Sequence, residues 1–223
     1  MDSLLCLFVH LALLSTSFGS QITFYGETGE TQQCPLDKPC AILVQEYNRN
    51  GTMKQEYWTD LCTCGDGAMC SVDWGVDPDK TIRQYLKTNI RDMVLEMKFC
   101  RRVQPLAVCS PNQMALSLKG YSLIPRQLNS INCRCPGNAP LHLQKVWYER
   151  YMERHQNFVC SIPTCDVPTV NHRVPCLLAF EQLNPRHHET TFVCECPEPF
   201  RCILPPSSTR NEITPGFCQR VSY

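Results

Sequence analysis

The residues of this chain best suited to chemistry are its cysteines, which recur in closely spaced pairs. Cys62-Thr63-Cys64 is followed after five residues by Cys70, and Cys194-Glu195-Cys196 is followed after five residues by Cys202. Cysteine pairs of this kind either form disulfides or hold a zinc ion. Because cysteines one residue apart in an extended strand point to opposite faces, we expect each pair to cross-link its strand to two different neighbours.

The start of the chain favours disulfides over zinc. An apolar run over residues 4–14, followed by small residues, predicts a secretory signal peptide over residues 1–19. This run is much shorter than the roughly 20 residues of a membrane-spanning helix, so we expect a secreted, extracellular chain without membrane insertion. Of the 17 cysteines, Cys6 leaves with the signal peptide, and the sixteen that remain fit eight disulfides in an oxidising compartment.

The cysteines form a repeated pattern. Six cysteines, with Pro-Cys before an apolar run and Phe-Cys-x-Arg-Val at the end, occur in the same order twice, and four occur between the two copies. This pattern predicts a small disulfide-rich, mainly β fold of three tandem cysteine-framed β-hairpin modules. The modules would span residues 20–104, 105–162 and 163–223, and we expect modules one and three to share one connectivity. The cysteines expected in disulfides are Cys34, Cys40, Cys62, Cys64, Cys70, Cys100, Cys109, Cys133, Cys135, Cys160, Cys165, Cys176, Cys194, Cys196, Cys202 and Cys218.

Each module contains one hairpin signal. In module one, two β-rich runs flank Asn50-Gly51, and both of these residues tolerate the positive φ of a tight turn. In module three, the turn is expected around Asn184-Pro185-Arg186. The paired strands are expected at residues 41–47 with 53–59, at 114–123 with 127–131 on either side of Ile124-Pro125, and at 177–183 with 189–193.

For two segments, the sequence pattern does not decide between a helix and a strand. Over residues 78–97, apolar side chains at i, i+3 and i+4 favour an amphipathic helix, but the matching span of module three, residues 203–216, contains three prolines. We therefore expect a strand at residues 93–103 and leave residues 81–87 open between a helix and a hairpin. Residues 141–152 have similar spacing and are expected to be a short helix or a long insert.

The composition excludes several classes of function. Lysine plus arginine and aspartate plus glutamate each number 21, without a basic block, so neither nucleic acid nor an anionic membrane is an expected partner. The sequence has no His-x-x-x-His pair, Gly-x-Ser-x-Gly elbow or glycine-rich phosphate loop. We expect His187-His188 at an exposed hairpin tip, and His142, His155 and His172 are scattered. We therefore expect no catalytic, cofactor-binding or metal site, and no enzyme.

Two short motifs could direct processing. Asn50-Gly51-Thr52 is an N-glycosylation sequon in a predicted turn, which makes Asn50 a glycosylation candidate. Arg101-Arg102 looks like a dibasic cleavage site, but it directly follows Cys100, and module three has Gln219-Arg220 in the same place. We therefore expect no cleavage there.

Two lysines have aromatic residues close by in sequence. Lys119-Gly120-Tyr121 is one such pair, and Lys87 with Tyr85 and Leu86 is the other. A lysine beside an aromatic ring suits a plug for a cation pore, in which the ammonium enters and the ring packs against the vestibule. Lysine and tyrosine are also common on any β surface.

The sequence resembles a known family of venom proteins. Pro-Cys before an apolar run, Glu46-Tyr47, Tyr57-Trp58-x-x-Leu61-Cys62-x-Cys64 and Phe99-Cys100 resemble the long scoloptoxin family of centipede venoms, family eleven. This resemblance implies a secreted, monomeric toxin whose partner is a protein of another organism, a membrane channel or receptor. Some members are regarded as voltage-gated potassium-channel inhibitors, so the resemblance implies that activity here.

Two alternatives come from other functional classes. The cysteine-framed modules also resemble Argos, a type of arthropod secreted growth-factor antagonist, through cysteine spacing alone. That resemblance implies a growth-factor-sequestering clamp. A protease inhibitor is a third possibility, although Cys133-Arg134-Cys135 is held too tightly for a reactive loop.

Overall fold

The protein is a mainly β structure. The computed structural model describes residues 32–48, 50–65, 67–88, 91–121, 124–149, 153–166, 174–183, 186–205 and 212–220, so the predicted signal peptide lies outside it. Within these ranges the strands are β1 (Ala41–Tyr47), β2 (Met53–Asp60), β3 (Thr81–Lys87), β4 (Asp92–Lys98), β5 (Met114–Tyr121), β6 (Ile124–Ile131), β7 (Leu141–Glu149), β8 (Glu153–Val159), β9 (Leu177–Leu183), β10 (Arg186–Phe192), β11 (Phe200–Ile203) and β12 (Ile213–Arg220). Two short 3-10 turns, Pro78–Lys80 and Pro136–Asn138, accompany them. The predicted disulfide-rich, mainly β fold class is confirmed, and no helix of the described ranges could span a bilayer.

The first four strands form an antiparallel sheet in the order β2-β1-β4-β3. The central strand β1 is buried on both faces, which explains its uninterrupted start Ala41-Ile42-Leu43-Val44. On the outer face, the segment that follows Cys70 covers the sheet. Cys70 is bonded to Cys40, and the backbone N–H of Gly75 donates to the Glu96 carboxylate at 3.2 Å.

The remaining strands form two further antiparallel groups. β5 to β8 are ordered β6-β5-β8-β7, and β9 to β12 are ordered β10-β9-β12-β11.

Strand β7 joins the three groups into one sheet. One edge of β7 pairs with β8, and its other edge is shared by two strands. Its first residues pair in parallel with the end of β3, and residues 145–148 pair with β10. Because the groups are hydrogen-bonded to one another, the division into three modules stays a prediction.

Eight disulfides cross-link the chain in one repeated order. In both six-cysteine segments, the first cysteine bonds the third, the second bonds the fifth, and the fourth bonds the sixth. The four-cysteine segment lacks the middle bond. The predicted common connectivity of the two larger segments is therefore confirmed. The bonds are Cys34–Cys62, Cys40–Cys70, Cys64–Cys100, Cys109–Cys133, Cys135–Cys160, Cys165–Cys194, Cys176–Cys202 and Cys196–Cys218.

Each Cys-x-Cys stretch is held by the same backbone bridge. The residue between the two cysteines pairs in parallel with the residue before the first cysteine of its segment, as Thr63 does with Gln33. The backbone N–H of that first cysteine donates to the middle residue at 2.9 Å in all three copies, at Cys34, Cys109 and Cys165. The expected position inside an extended strand is therefore wrong, because the Cys-x-Cys stretch lies just beyond the hairpin. The two cysteines of each stretch do bond different partners, as expected.

The apolar core belongs to the first two segments. Ile42, Val44 and Leu95 of the first sheet pack in one cluster with Leu116 and Phe158 of the second. Between residues 165 and 218, the buried cluster of the described residues consists of cysteines instead.

The two segments left open in the sequence are strands. β3 and β4 form a hairpin, so a helix over residues 78–97 is wrong, and β4 ends at Lys98 rather than at residue 103. The helix considered for residues 141–152 is also wrong, because residues 141–149 form β7. Of the turn expected around Asn184-Pro185-Arg186, Asn184 and Pro185 lie outside the described residues, and Arg186 begins β10. Ile124 and Pro125, expected between the two strands of module two, belong to β6 instead.

Candidate functional site

Part of strand β3 has an unpaired backbone edge that lies next to a groove. β3 pairs with β4 along its whole length, but on its other edge only Leu86 and Lys87 are paired, with β7. No other described strand pairs with residues 81–85 on that edge. Since alternate residues of an antiparallel strand bond to opposite sides, and the Lys80 carbonyl accepts from Phe99, the backbone groups of Arg83 and Tyr85 face outward.

A groove of about 720 Å³ lies along this free edge. Its walls are β3, the connection over residues 102–106 and the turn over residues 134–139. Three arginines line it, Arg83, Arg102 and Arg134, with Asp79 as the acidic residue among its lining. The groove is therefore basic.

The partly exposed Arg83 side chain contacts a buried ion pair of strand β4. The Glu96 carboxylate, 1% exposed, accepts from the Arg83 guanidinium and lies 2.8 Å from Lys98 Nζ. Burial raises the pKa of Glu96, but hydrogen bonds from Lys98 and Arg83 outweigh burial and lower this pKa below its usual range. One carboxylate is thus shared by two cations, which leaves a net positive charge beside the groove.

Of the two lysine–aromatic pairs, Lys87 with Tyr85 is the accessible one. Both side chains are exposed, and they lie on the same face of β3 because they are two residues apart, while Leu86 between them is buried in the core. Lys119 is different, because its ammonium lies 3.0 Å from the Glu153 carboxylate and its side chain is only 28% exposed. The side chain of Tyr121 lies outside the described residues.

The histidines occupy separate places. His142 Nδ1 lies 3.3 Å from the Glu195 carboxylate, and burial lowers the pKa of His142 against the opposing effect of Glu195. His188 is near Tyr148 in an edge-to-face contact. His172 and the side chain of His187 lie outside the described residues.

The close cysteine sulfurs are disulfide clusters. In each segment, a sulfur of one bond lies within 4.8 Å of a neighbouring bond, as Cys34 does with Cys64 and Cys100. Because these sulfurs are all bonded in pairs, none is a thiolate that could bind zinc.

The two processing motifs lie at the surface. Asn50 is exposed, and its side-chain oxygen accepts from the Thr52 hydroxyl at 2.7 Å, so the sequon is accessible and its glycosylation stays a prediction. Arg102 lies 3.8 Å from the Asp79 carboxylate, and the next residue, Val103, donates its N–H to the Asp79 carbonyl at 2.8 Å. The Arg101-Arg102 backbone is thus held between this bond and the Cys64–Cys100 disulfide.

A dense disulfide framework is typical of proteins exported to an oxidising environment. No family model matches the chain. It is 26% identical over 129 residues to kappa-scoloptoxin(11)-Ssd1b of Scolopendra dehaani, which covers 55% of this chain and 49% of that protein. The chain thus spans about half the length of this curated relative. Among solved structures, unliganded Argos is similar with 19% identity and a TM-score of 0.41, over 86% of this chain and 93% of that one.

Proposed function

We propose that the chain is a secreted toxin that acts by binding a protein of another organism. The observation that carries this proposal is the likeness to kappa-scoloptoxin(11)-Ssd1b over 129 residues. The disulfide framework supports it, because a cross-linked fold of this kind persists outside cells without a large core in every part. The three segments, residues 20–104, 105–162 and 163–223, are proposed as its modules, since each described disulfide joins cysteines of one segment.

The proposed target is a voltage-gated potassium channel, and Lys87 with Tyr85 is the proposed contact. An exposed ammonium next to an exposed ring on one rigid strand suits a cation pathway, because the ring packs at the entrance while the ammonium takes the position of a cation. The hairpin with β4 fixes the whole strand, and the parallel pairing with β7 also fixes its end at Leu86 and Lys87.

Patch-clamp recording of neuronal potassium currents with the oxidised, purified chain tests this proposal. We expect block of the current at micromolar concentration. Lys87→Ala or Tyr85→Ala should each weaken this block at least about tenfold, because truncation of a central contact residue lowers the binding affinity by that much. Lys54→Ala is the matched control, because Lys54 is also exposed on a strand, β2, but lies away from β3. Unchanged block by both variants would remove this contact from the proposal, and no block at micromolar concentration would contradict the channel as target.

A second candidate is a growth-factor-sequestering antagonist. The basic groove along the unpaired edge of β3 favours it, because an extended protein segment could add to that edge as a further strand. Capture of a purified epidermal-growth-factor-like ligand by the immobilised chain separates the two candidates. Capture without any block of potassium current would favour the antagonist over the toxin.

A further inference from the structure

A buried histidine and two carboxylates meet on the outer face of the β7–β8 hairpin. Glu149 and Glu153 are directly paired across the two strands, and Trp147 with His155 is the neighbouring pair on the same face. On the other side of β8, the β5 residue opposite His155 is Lys119. The register of three hydrogen-bonded strands therefore fixes the backbone positions of all five residues.

His155 has a buried nitrogen without a hydrogen-bond partner. The residue is 7% exposed, and its ring is stacked on Trp147 with centroids 4.9 Å apart and planes 15° apart. Among the described residues, Nε2 has no hydrogen-bond partner. The facing oxygens, Glu149 Oε2 at 3.6 Å and Glu153 Oε2 at 3.7 Å, are too distant for a hydrogen bond. An unpaired buried polar atom is costly, so a ligand bound at this nitrogen would be stabilising.

Each carboxylate is oriented through its second oxygen. Trp147 Nε1 donates to Glu149 Oε1 at 3.1 Å, and Lys119 Nζ lies 3.0 Å from Glu153 Oε1. These contacts turn both Oε2 atoms toward the His155 ring. Outer hydrogen bonds of this kind are typical of metal sites, where they fix the direction of the ligating atoms.

We propose that His155, Glu149 and Glu153 bind one divalent transition-metal ion, and that zinc is the ion they suit. Two atoms that bind one ion at about 2.1 Å with a tetrahedral angle lie roughly 3.4 Å apart, close to the two separations in this cluster. One imidazole nitrogen and two carboxylate oxygens are accepted zinc ligands, and three protein ligands leave the fourth position to water. This site is independent of the proposed contact on β3.

A proton is the competing occupant of the same position. An imidazolium at His155 would face the same two carboxylates and would need no metal. Direct measurement of metal binding separates these two possibilities.

Zinc titration of the full, oxidised, chelator-treated chain by calorimetry tests the proposal, with cobalt as a spectroscopic probe. We expect one zinc ion per chain, a higher Tm in zinc, and visible cobalt absorption bands of a four-coordinate site. His155→Gln and Glu149→Gln should each weaken zinc binding at least about tenfold. Even substitutions of residues that only contact a metal ligand lower the metal affinity by about that factor. Glu149→Gln keeps an acceptor for Trp147 Nε1 on a partly exposed side chain, so it should fold even if His155→Gln does not.

His188→Gln is the matched control, since His188 is an exposed histidine of the adjacent strand β10. We expect it to leave zinc affinity unchanged. Absence of zinc binding at millimolar concentration would overturn the proposal. Zinc binding that survives Glu149→Gln, or that is lost equally in His188→Gln, would overturn it as well.

Discussion

The first and last disulfide-linked segments, residues 34–100 and 165–218, share their cross-links but not their interiors. Both pair six cysteines in the same order. In the first segment, fully buried apolar side chains such as Ile42, Leu95 and Met97 form a core in addition to the bonds. In the last, the buried cluster of the described residues is made of the cysteines themselves. The same connectivity thus serves both a segment with an apolar core and one without.

The buried charged side chains occur in the segment that has an apolar core. Glu46, Glu96 and Lys98 are at most 2% exposed, and all three belong to the first segment. Among the described residues of the last segment, no charged side chain is buried to this degree. A buried ion pair loses its hydration and requires compensating contacts, which a wide, well-packed sheet provides and a small disulfide cluster does not.

The largest effect is expected at the ion cluster of the first segment. Glu96→Gln leaves Lys98 Nζ and the Arg83 guanidinium without their shared carboxylate, and Lys98 is itself only 2% exposed. Removing one partner of a buried ion pair lowers the free energy of unfolding by about 3–5 kcal/mol. Chemical denaturation at neutral pH measures this loss.

The same variant has a pH signature with a definite sign. The pKa of Glu96 is lowered in the folded chain, so its stabilisation is complete above the unfolded pKa of about 4.3 and is lost as pH falls through the folded pKa. The difference between wild type and Glu96→Gln should therefore shrink in acid. Glu56→Gln, on an exposed side chain of β2, is the control and should change little. A difference that is independent of pH would contradict the charged role of Glu96.

Removal of equivalent disulfides tests whether the bonds replace a core in the last segment. Cys40–Cys70 and Cys176–Cys202 close loops of similar length, with sequence separations of 30 and 26, so their loop-closure entropies are close. Replacing either pair by alanine should cost about 2–5 kcal/mol in global stability. The local response should differ, because only the first segment keeps an apolar core.

Hydrogen exchange measured by mass spectrometry resolves that local response. Without Cys176–Cys202, the amides of β9 and β12 should lose their protection, whereas β1 and β4 should stay protected without Cys40–Cys70. Equal loss of protection in β1 and β9 would show that the cores do not distinguish the two segments.

The sequence predicted the β1–β2, β5–β6 and β9–β10 hairpins and the common connectivity from local signals, such as Asn50-Gly51 and the repeated cysteine spacing. It failed where a strand lacks clean alternation. The buried face of β3 includes the polar Gln84, and β4 is buried on both faces. The apolar residues of this stretch therefore follow the i, i+3, i+4 spacing of a helix rather than the alternation of a strand. In β7, a bulge between Leu143 and Lys145 shifts the alternation by one residue, with the same result.

The proposed functional surfaces were predictable only in part. Lys87 with Tyr85 was identified from sequence proximity, since both residues belong to one strand. The pairing of Lys119 with Glu153 was not, because it joins two strands whose register the sequence does not give. His155 appeared as one of several scattered histidines for the same reason. Its signal, two glutamates and a histidine in the order Glu-x-x-x-Glu-x-His, becomes informative only once a hairpin turns between the glutamates.

The smallest predicted effect concerns one equivalent position in the two segments. Lys98 and Gly216 both accept a backbone hydrogen bond from the second cysteine of their segment, at 2.7 Å from Cys40 and 2.9 Å from Cys176. Lys98 faces the small Ala41 across the strands, whereas Gly216 faces Leu177. The larger side chain of the pair thus lies on β4 in the first segment and on β9 in the last. The summed side-chain volume of the pair is partly conserved.

Gly216→Ala tests this exchange of volume. A Cβ at Gly216 would lie 2.7 Å from Leu177 Cγ and 3.2 Å from the Ile203 carbonyl oxygen, so we expect overpacking that costs about 1–3 kcal/mol. Gly65→Ala is the control, because an added Cβ there meets nothing closer than 3.8 Å. In a double-mutant cycle, Leu177→Ala should relieve part of the cost of Gly216→Ala, since it restores the small neighbour present at Ala41. Strictly additive effects would show that Leu177 is not the side chain that requires glycine at position 216.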